Sequence, residues 1–311
     1  MYSGAENMPA AAAAPRFRVR DLPEEMAVIK SIAQQTDYAA ACKAVKPRSA
    51  LQGLIALRML RPLFEGLRDA ADEAIRRHGV HGWLTAEGRS DKDRYLSLSL
   101  THNPDLDDPG IIDVHQSTLG TSVNPKRDFY YGATQRFAKL KNTYFDTYGF
   151  RLLTPAARIG ALGQFLSECR LSLVRARLSV LRGEDGPSGF NFGWHRDEPV
   201  YENVRLNIPL RSHRDFRLQL EHRLDRPQPG STTMSDYYLA PGKAYTFDTH
   251  RPHRVYASRA CKVERVHLVL GFAPWFRYDA AVDAWQPNEF YGRVHPLDIL
   301  RGGALHPALR S

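Results

Sequence analysis

Apolar and polar positions alternate through much of the second half of the chain. Residues 171–181 alternate apolar side chains with Ser and Arg. Short strand-like runs follow at 204–210, 216–222, 236–239, 244–247 and 263–272, separated by Pro, Gly and charged turns. Several short strands at such spacing predict an all-β sandwich or barrel in this half. The first half reads differently. Asp21, Pro23, Glu24 and Glu25 form a helix-start signal, and the helix is expected to run to about Val45, before Pro47. In 50–78, Leu54, Leu57, Leu60 and Phe64 fall at helical spacing, with a kink or break expected at Pro62 and a C-cap at Gly79. Residues 94–101 alternate like a strand, 103–110 carry loop chemistry, and 154–169 open with Thr-Pro as a helix. The stretch 115–149 is rich in Tyr and Phe without a clear period. It reads as irregular, a lid or substrate wall, with Tyr130, Tyr131 and Gly132 as a candidate cover.

These patterns divide the chain into four parts. Residues 1–15 are an Ala-rich tail expected to be disordered, and 16–170 a helical and irregular region packing on the core. Residues 171–278 form the β core, and 279–311 a Pro- and Gly-punctuated extension expected to wrap the outside.

Composition narrows the class. The chain has 311 residues, 43% hydrophobic and 25% charged, enough for a full core without staples. No apolar run is long enough to span a bilayer. The 3 cysteines lie far apart and form no CxxC pair, which predicts a reducing, cytoplasmic setting and no metal role for them. The net charge of +9 favours acidic partners such as a carboxylate substrate or an acidic carrier. Arginine is spread rather than blocked, no nucleic-acid-binding motif is present, and a nucleic-acid partner is not expected.

The candidate chemistry lies between Gly193 and Phe276. His195 and Asp197 are two apart, so a strand end can present imidazole and carboxylate on one face. With a second histidine they would make the two-His, one-carboxylate set of non-haem Fe(II) sites. His253 is the favoured third ligand, while spacing alone leaves His250, His213, His222 and His267 open. Arg265 sits inside an apolar strand-like run, a costly place unless it meets a charge, and its planar fork suits a carboxylate. A salt bridge to Glu264 is the bland alternative. Trp194 and Tyr201 are candidate pocket walls or plain core aromatics.

The segment Gly242 to Val255 reads Gly-Lys-x-x-x-Phe-Asp-x-x-x-x-His-x-Val. With the upstream histidine and Arg265 downstream, it resembles the aspartyl/asparaginyl β-hydroxylase family and is similar to the proline cis-hydroxylases. The resemblance covers about a third of the chain. It implies an α+β protein with a double-stranded β-helix (cupin-like jelly roll) core, Fe(II), 2-oxoglutarate and hydroxylation of an unactivated carbon. It further implies His195, Asp197 and His253 as iron ligands and Arg265 as the partner of the distal 2-oxoglutarate carboxylate. Asn207 would bind the other carboxylate, and Arg205 would bind cosubstrate or substrate. The implied substrate is an amino acid or a related small or carrier-bound acid. The alternative is a non-catalytic cupin-like module that binds a metal or ligand.

Overall fold

The computed structural model describes residues 17–18, 38–48, 53–82, 95–104, 147–182, 191–221, 234–257, 263–301 and 305–310. The expected tail, most of the helix from Asp21, the Tyr130–Gly132 loop and nearly all of 103–149 lie outside them, as do His222 and Cys261.

In chain order the elements begin with β1 (Phe17–Arg18), α1 (Tyr38–Ala44), β2 (Ile55–Met59), α2 (Arg61–His78), β3 (His81–Gly82), β4 (Tyr95–Ser99) and β5 (Thr101–His102). They continue with β6 (Leu152–Leu153), α3 (Gly160–Ser167), β7 (Leu173–Leu181), β8 (Asn191–His195), β9 (Val204–Arg211), β10 (Phe216–Glu221) and β11 (Met234–Tyr237). Then come β12 (Lys243–Thr246), β13 (His253–Ala257), β14 (Arg265–Phe272), β15 (Phe276–Asp279), β16 (Ala284–Pro287), α4 (Pro296–Arg301) and β17 (Leu309–Arg310). An eight-stranded sheet has the order β17-β2-β12-β9-β14-β7-β4-β3, and a four-stranded sheet the order β11-β10-β13-β8. Among the described residues strands outnumber helices.

The large sheet has two chemically different faces. Leu96 and Leu98 of β4, Ala176, Leu178 and Val180 of β7, Leu206 and Ile208 of β9, and Leu268 and Leu270 of β14 are buried together. The same cluster takes in Leu67, Ala70, Ala71 and Ala74 of α2 and Leu162, Phe165 and Leu166 of α3. The small residues of α2 let it lie close on the sheet. Side chains alternate across a strand, so the opposite face carries Tyr95, Ser97, Ser99, Arg177, Ser179, Asn207, Arg265 and His267. Register confirms the rows, since Arg265 and Tyr95 each face Leu181, and His267 and Ser97 each face Ser179. Among the described residues, two small clusters make apolar contact with the small sheet. One joins Leu181 to Phe216 and Ala257, and the other joins Tyr245 and Phe247 to Leu218, Leu220 and Leu239.

Four expectations are corrected. The helical run over 50–78, with its kink or break at Pro62, is a strand followed by a helix. Leu57 is buried in β2 with Ile55, Leu60 is 62% exposed, and Pro62 sits in the first turn of α2 rather than kinking it. Gly79 does cap α2, at φ 73° with its N–H donating to the Ile75 carbonyl. The helix over 154–169 divides into a 3₁₀ turn at Pro155–Arg158 and α3, which starts at Gly160 with φ 48°. The extension after 279 does not merely wrap the outside. Trp285, Leu297, Ile299, Leu300 and Leu309 are buried core residues, and β17 pairs with β2 in the large sheet. The region before residue 171 likewise contributes β2, β3 and β4 to that sheet, beyond packing helices on it.

Candidate metal centre

Strand pairing builds the centre. β13 runs antiparallel to β8, and its register places His253 opposite His195. His253 therefore opens a strand rather than lying in the loop after β12. Val255 and Ala257 continue the alternation and pack inward. The two imidazole rings lie 4.2 Å apart between centroids. Asp197 follows β8, where its N–H donates to the Thr249 carbonyl at 2.9 Å, tying this turn to the one before β13. One ligand atom from each of His195, Asp197 and His253 falls within 4.8 Å of the others. The Asp197 Oδ2 lies 3.4 Å from His253 Nε2.

His253 Nδ1 lies 2.9 Å from the Arg251 carbonyl, which can only accept, so Nδ1 donates to it and Nε2 is the ring nitrogen turned toward Asp197. Phe247 meets the His253 ring edge-on at 5.1 Å and fixes its plane. Burial disfavours the charge on Asp197, but Arg205 and the two histidines outweigh it and hold the carboxyl well below the usual range. Asp197 is thus an anion ready to ligate. The rival histidines lie elsewhere. His250 is exposed, with Nδ1 3.1 Å from the Asp197 carbonyl, and His213 pairs with Asp215.

Arg205 is buried, and its fork is divided between Asp197 and Glu198: NH1 donates to Asp197 Oδ2 and NH2 to Glu198 Oε2. Desolvation opposes its charge, and the two carboxylates override it. Glu198 had no place among the sequence candidates, because Arg-Asp-Glu reads as a solvated charge run. Its other oxygen accepts from Thr147 Oγ1 at 3.1 Å.

Arg265 lies on the polar face of β14, 7% exposed. Its Nε donates to His267 Nε2 at 2.8 Å, and it contacts no carboxylate among the described residues. The expected alternative partner, Glu264, is instead bonded to Arg182 and Arg211 at the surface. Desolvation lowers the Arg265 pKa to about 10. Desolvation, helped by the neighbouring guanidinium, keeps His267 neutral. Asn207 shares this face, opposite Tyr245 on one side and Val269 on the other.

Two candidate walls do not line the centre. Trp194, next to His195, points the other way, being 42% exposed with the Arg254 guanidinium 5.0 Å over its ring. Tyr201 donates to the Val45 carbonyl at 2.8 Å and packs on Trp275. Cys42 and Cys169 are free thiols outside the centre. No helix among the described residues is long and apolar enough to cross a membrane.

No family model matches the sequence, and no curated protein matches it. Solved structures give distant likenesses. The chain is similar to the non-haem alpha ketoglutarate dependent epimerase SnoN from nogalamycin biosynthesis, at 12% identity and TM-score 0.37 over 76% of this chain and 79% of that one. It is similar to a Pseudomonas putida prolyl-4-hydroxylase at 14% identity and TM-score 0.33, over 71% and 91% of the two chains. The carbocyclase SnoK from nogalamycin biosynthesis aligns at 11% identity and TM-score 0.38, over 95% and 99%.

Proposed function

We propose that this chain is an Fe(II)- and 2-oxoglutarate-dependent oxygenase. It would hydroxylate an unactivated carbon of an amino acid or a related small or carrier-bound acid. The observation that carries the reading is the convergence of two imidazoles and one carboxylate, with ligand atoms within 4.8 Å of one another. That donor set suits non-haem iron with open coordination positions. Once bound, the iron and keto acid would supply the oxidative chemistry, with 2-oxoglutarate decarboxylated to succinate.

The protein's part is to hold and orient. His195, Asp197 and His253 would fix the metal. Arg265, buried without an acidic partner among the described residues, would take the distal carboxylate of 2-oxoglutarate, and that dianion would supply the missing counter-charge. Asn207, on the same face, would bind the keto-acid end. Arg205 is already committed to Asp197 and Glu198, so we assign it to holding a metal ligand rather than the cosubstrate. The strand plan supports a double-stranded β-helix. β7, β9, β12 and β14 lie together in the large sheet, while β8, β10, β11 and β13 form the small one. The chain thus crosses repeatedly between two layers with the polar face enclosed.

The test is anaerobic titration of purified protein with Fe(II) and 2-oxoglutarate, followed by a turnover assay for succinate over free and carrier-bound amino acids. A weak visible charge-transfer band and Fe(II)-dependent succinate, both lost in His195→Ala, are expected. Metal uptake with no binding of 2-oxoglutarate would replace this reading with the non-catalytic metal-binding module.

A further inference from the structure

Beside the three candidate ligands stands a second acidic residue, Glu198, that is not among the grouped ligand atoms. We propose that Glu198 is a positioning residue that keeps Asp197 available to the metal by occupying half of the Arg205 fork; this rests on the metal-site reading above.

The Asp197 oxygen that faces His253, Oδ2, is the same oxygen to which Arg205 NH1 donates. A guanidinium left with a single carboxylate prefers to grip both of its oxygens through two parallel bonds. Such a grip would occupy the lone pairs that a metal needs. Here the second arm goes to Glu198 Oε2 instead. Asp197 therefore gives Arg205 one lone pair of Oδ2 and keeps the rest. Glu198 is itself held from two other sides. Thr147 Oγ1 donates to its Oε1, and Thr249 Oγ1 lies 3.4 Å from its backbone carbonyl. The clamp is thus anchored on the 3₁₀ turn at Thr147–Gly149 and on the turn before β13, not only within the Asp197–Glu198 dipeptide.

Charge acts in the same direction. Glu198 adds a negative charge facing a dication, set against the Arg205 and Arg175 guanidiniums. Neutralising Glu198 cancels that charge and releases the second arm toward Asp197. Both effects weaken metal binding, whereas a residue important only for packing would change stability and leave affinity alone.

The experiment uses the full chain with Co(II) as probe, read by visible absorption and calorimetry, alongside the melting temperature of the metal-free protein. Glu198→Gln is expected to weaken Co(II) binding roughly 10- to 100-fold, the range found when partners behind a metal ligand are removed. The double variant Glu198→Gln, Arg205→Gln removes the competing fork, and recovery to within about 3-fold of wild type is expected. Thr147→Val, a milder change, should weaken binding about 3-fold by loosening Glu198, and it stands in if Glu198→Gln does not fold. The proposal is overturned if Glu198→Gln, or Thr147→Val in its place, binds Co(II) as wild type does. It is equally overturned if the double variant stays as weak as the single one. Wild-type protein that takes up no Co(II) would overturn the metal-site reading itself, a different result from any of these.

Discussion

Replacing Arg265 by Met should make the ligand-free protein more stable and the cosubstrate response vanish. The guanidinium is buried, its described hydrogen-bond partner is a neutral His267, and desolvation lowers its pKa from the usual arginine range to about 10. A change of that size corresponds to roughly 3 kcal/mol against the charged form. Met keeps most of the aliphatic stem's volume. Against the gain stand the lost hydrogen bonding to His267 and an imidazole left short of a partner, together about 2 kcal/mol. The balance is a stabilisation of about 1 kcal/mol, or a melting temperature about 2–4 °C higher. The cosubstrate response runs the other way. With Mn(II) present and 2-oxoglutarate at a hundred times its Kd, wild type should gain about 2.7 kcal/mol, and the variant nothing from the keto acid. Urea unfolding of both proteins, with and without 2-oxoglutarate at fixed Mn(II), measures each quantity. A variant that loses several kcal/mol without ligand, or still gains stability from 2-oxoglutarate, refutes the reasoning.

Other expectations follow from the same structure. Burial, reinforced by nearby Glu198, pushes the Glu202 carboxyl up to about 7 from an ordinary 4.5, so folded protein loses stability as pH rises between those values. Glu202→Gln should remove that slope and be about 3 kcal/mol more stable than wild type at pH 8 but equal at pH 4. Parallel unfolding curves across this pH range would count against it. Stripping Co(II) with a chelator should lower the wild-type melting temperature by several degrees from a metal stabilisation of about 2–3 kcal/mol. His253→Ala should show no chelator effect in the same melting experiment. In Gly271→Ala, the new Cβ would sit 2.3 Å from the Val174 carbonyl oxygen in β7 and 2.6 Å from Oδ1 of the buried Asn203, just before β9. A loss of about 2–3 kcal/mol is expected in denaturant unfolding, and a neutral variant would mean the strands can separate there.

The strands of the β half were legible because alternation persists where one face meets helices and the other meets the second sheet. β2 was hidden because Leu54, Leu57 and Leu60 fit a helical stripe as well as a strand in sequence. What separates the readings is Pro62, which starts α2, and the pairing of Leu57 with Ala244 across the sheet. His195 and Asp197 were visible as a local pair. His253 could not be separated from His250 by spacing, because only the β8–β13 register puts one inside and leaves the other exposed. Glu198 was invisible for a related reason. Its meaning comes from Arg205 and Thr147, neither of which adjoins it in sequence. The arginines of β7 carry a further signal. Charge on alternate positions of an apolar strand marks an enclosed polar face as well as a wet one.

The position of β2 bears on how the chain reaches its folded state. This strand inserts between β12 and β17, so its partners are synthesised long after it. On the ribosome its edges have no mate until residues near Lys243–Thr246 emerge, and one edge waits for Leu309–Arg310. Such distant pairings slow folding and leave apolar edges exposed to other nascent chains in the meantime. Refolding should therefore be slow for the protein's size and prone to clumping at high concentration. Chaperone demand during expression should fall on the first half of the chain, although the candidate metal ligands lie in the second.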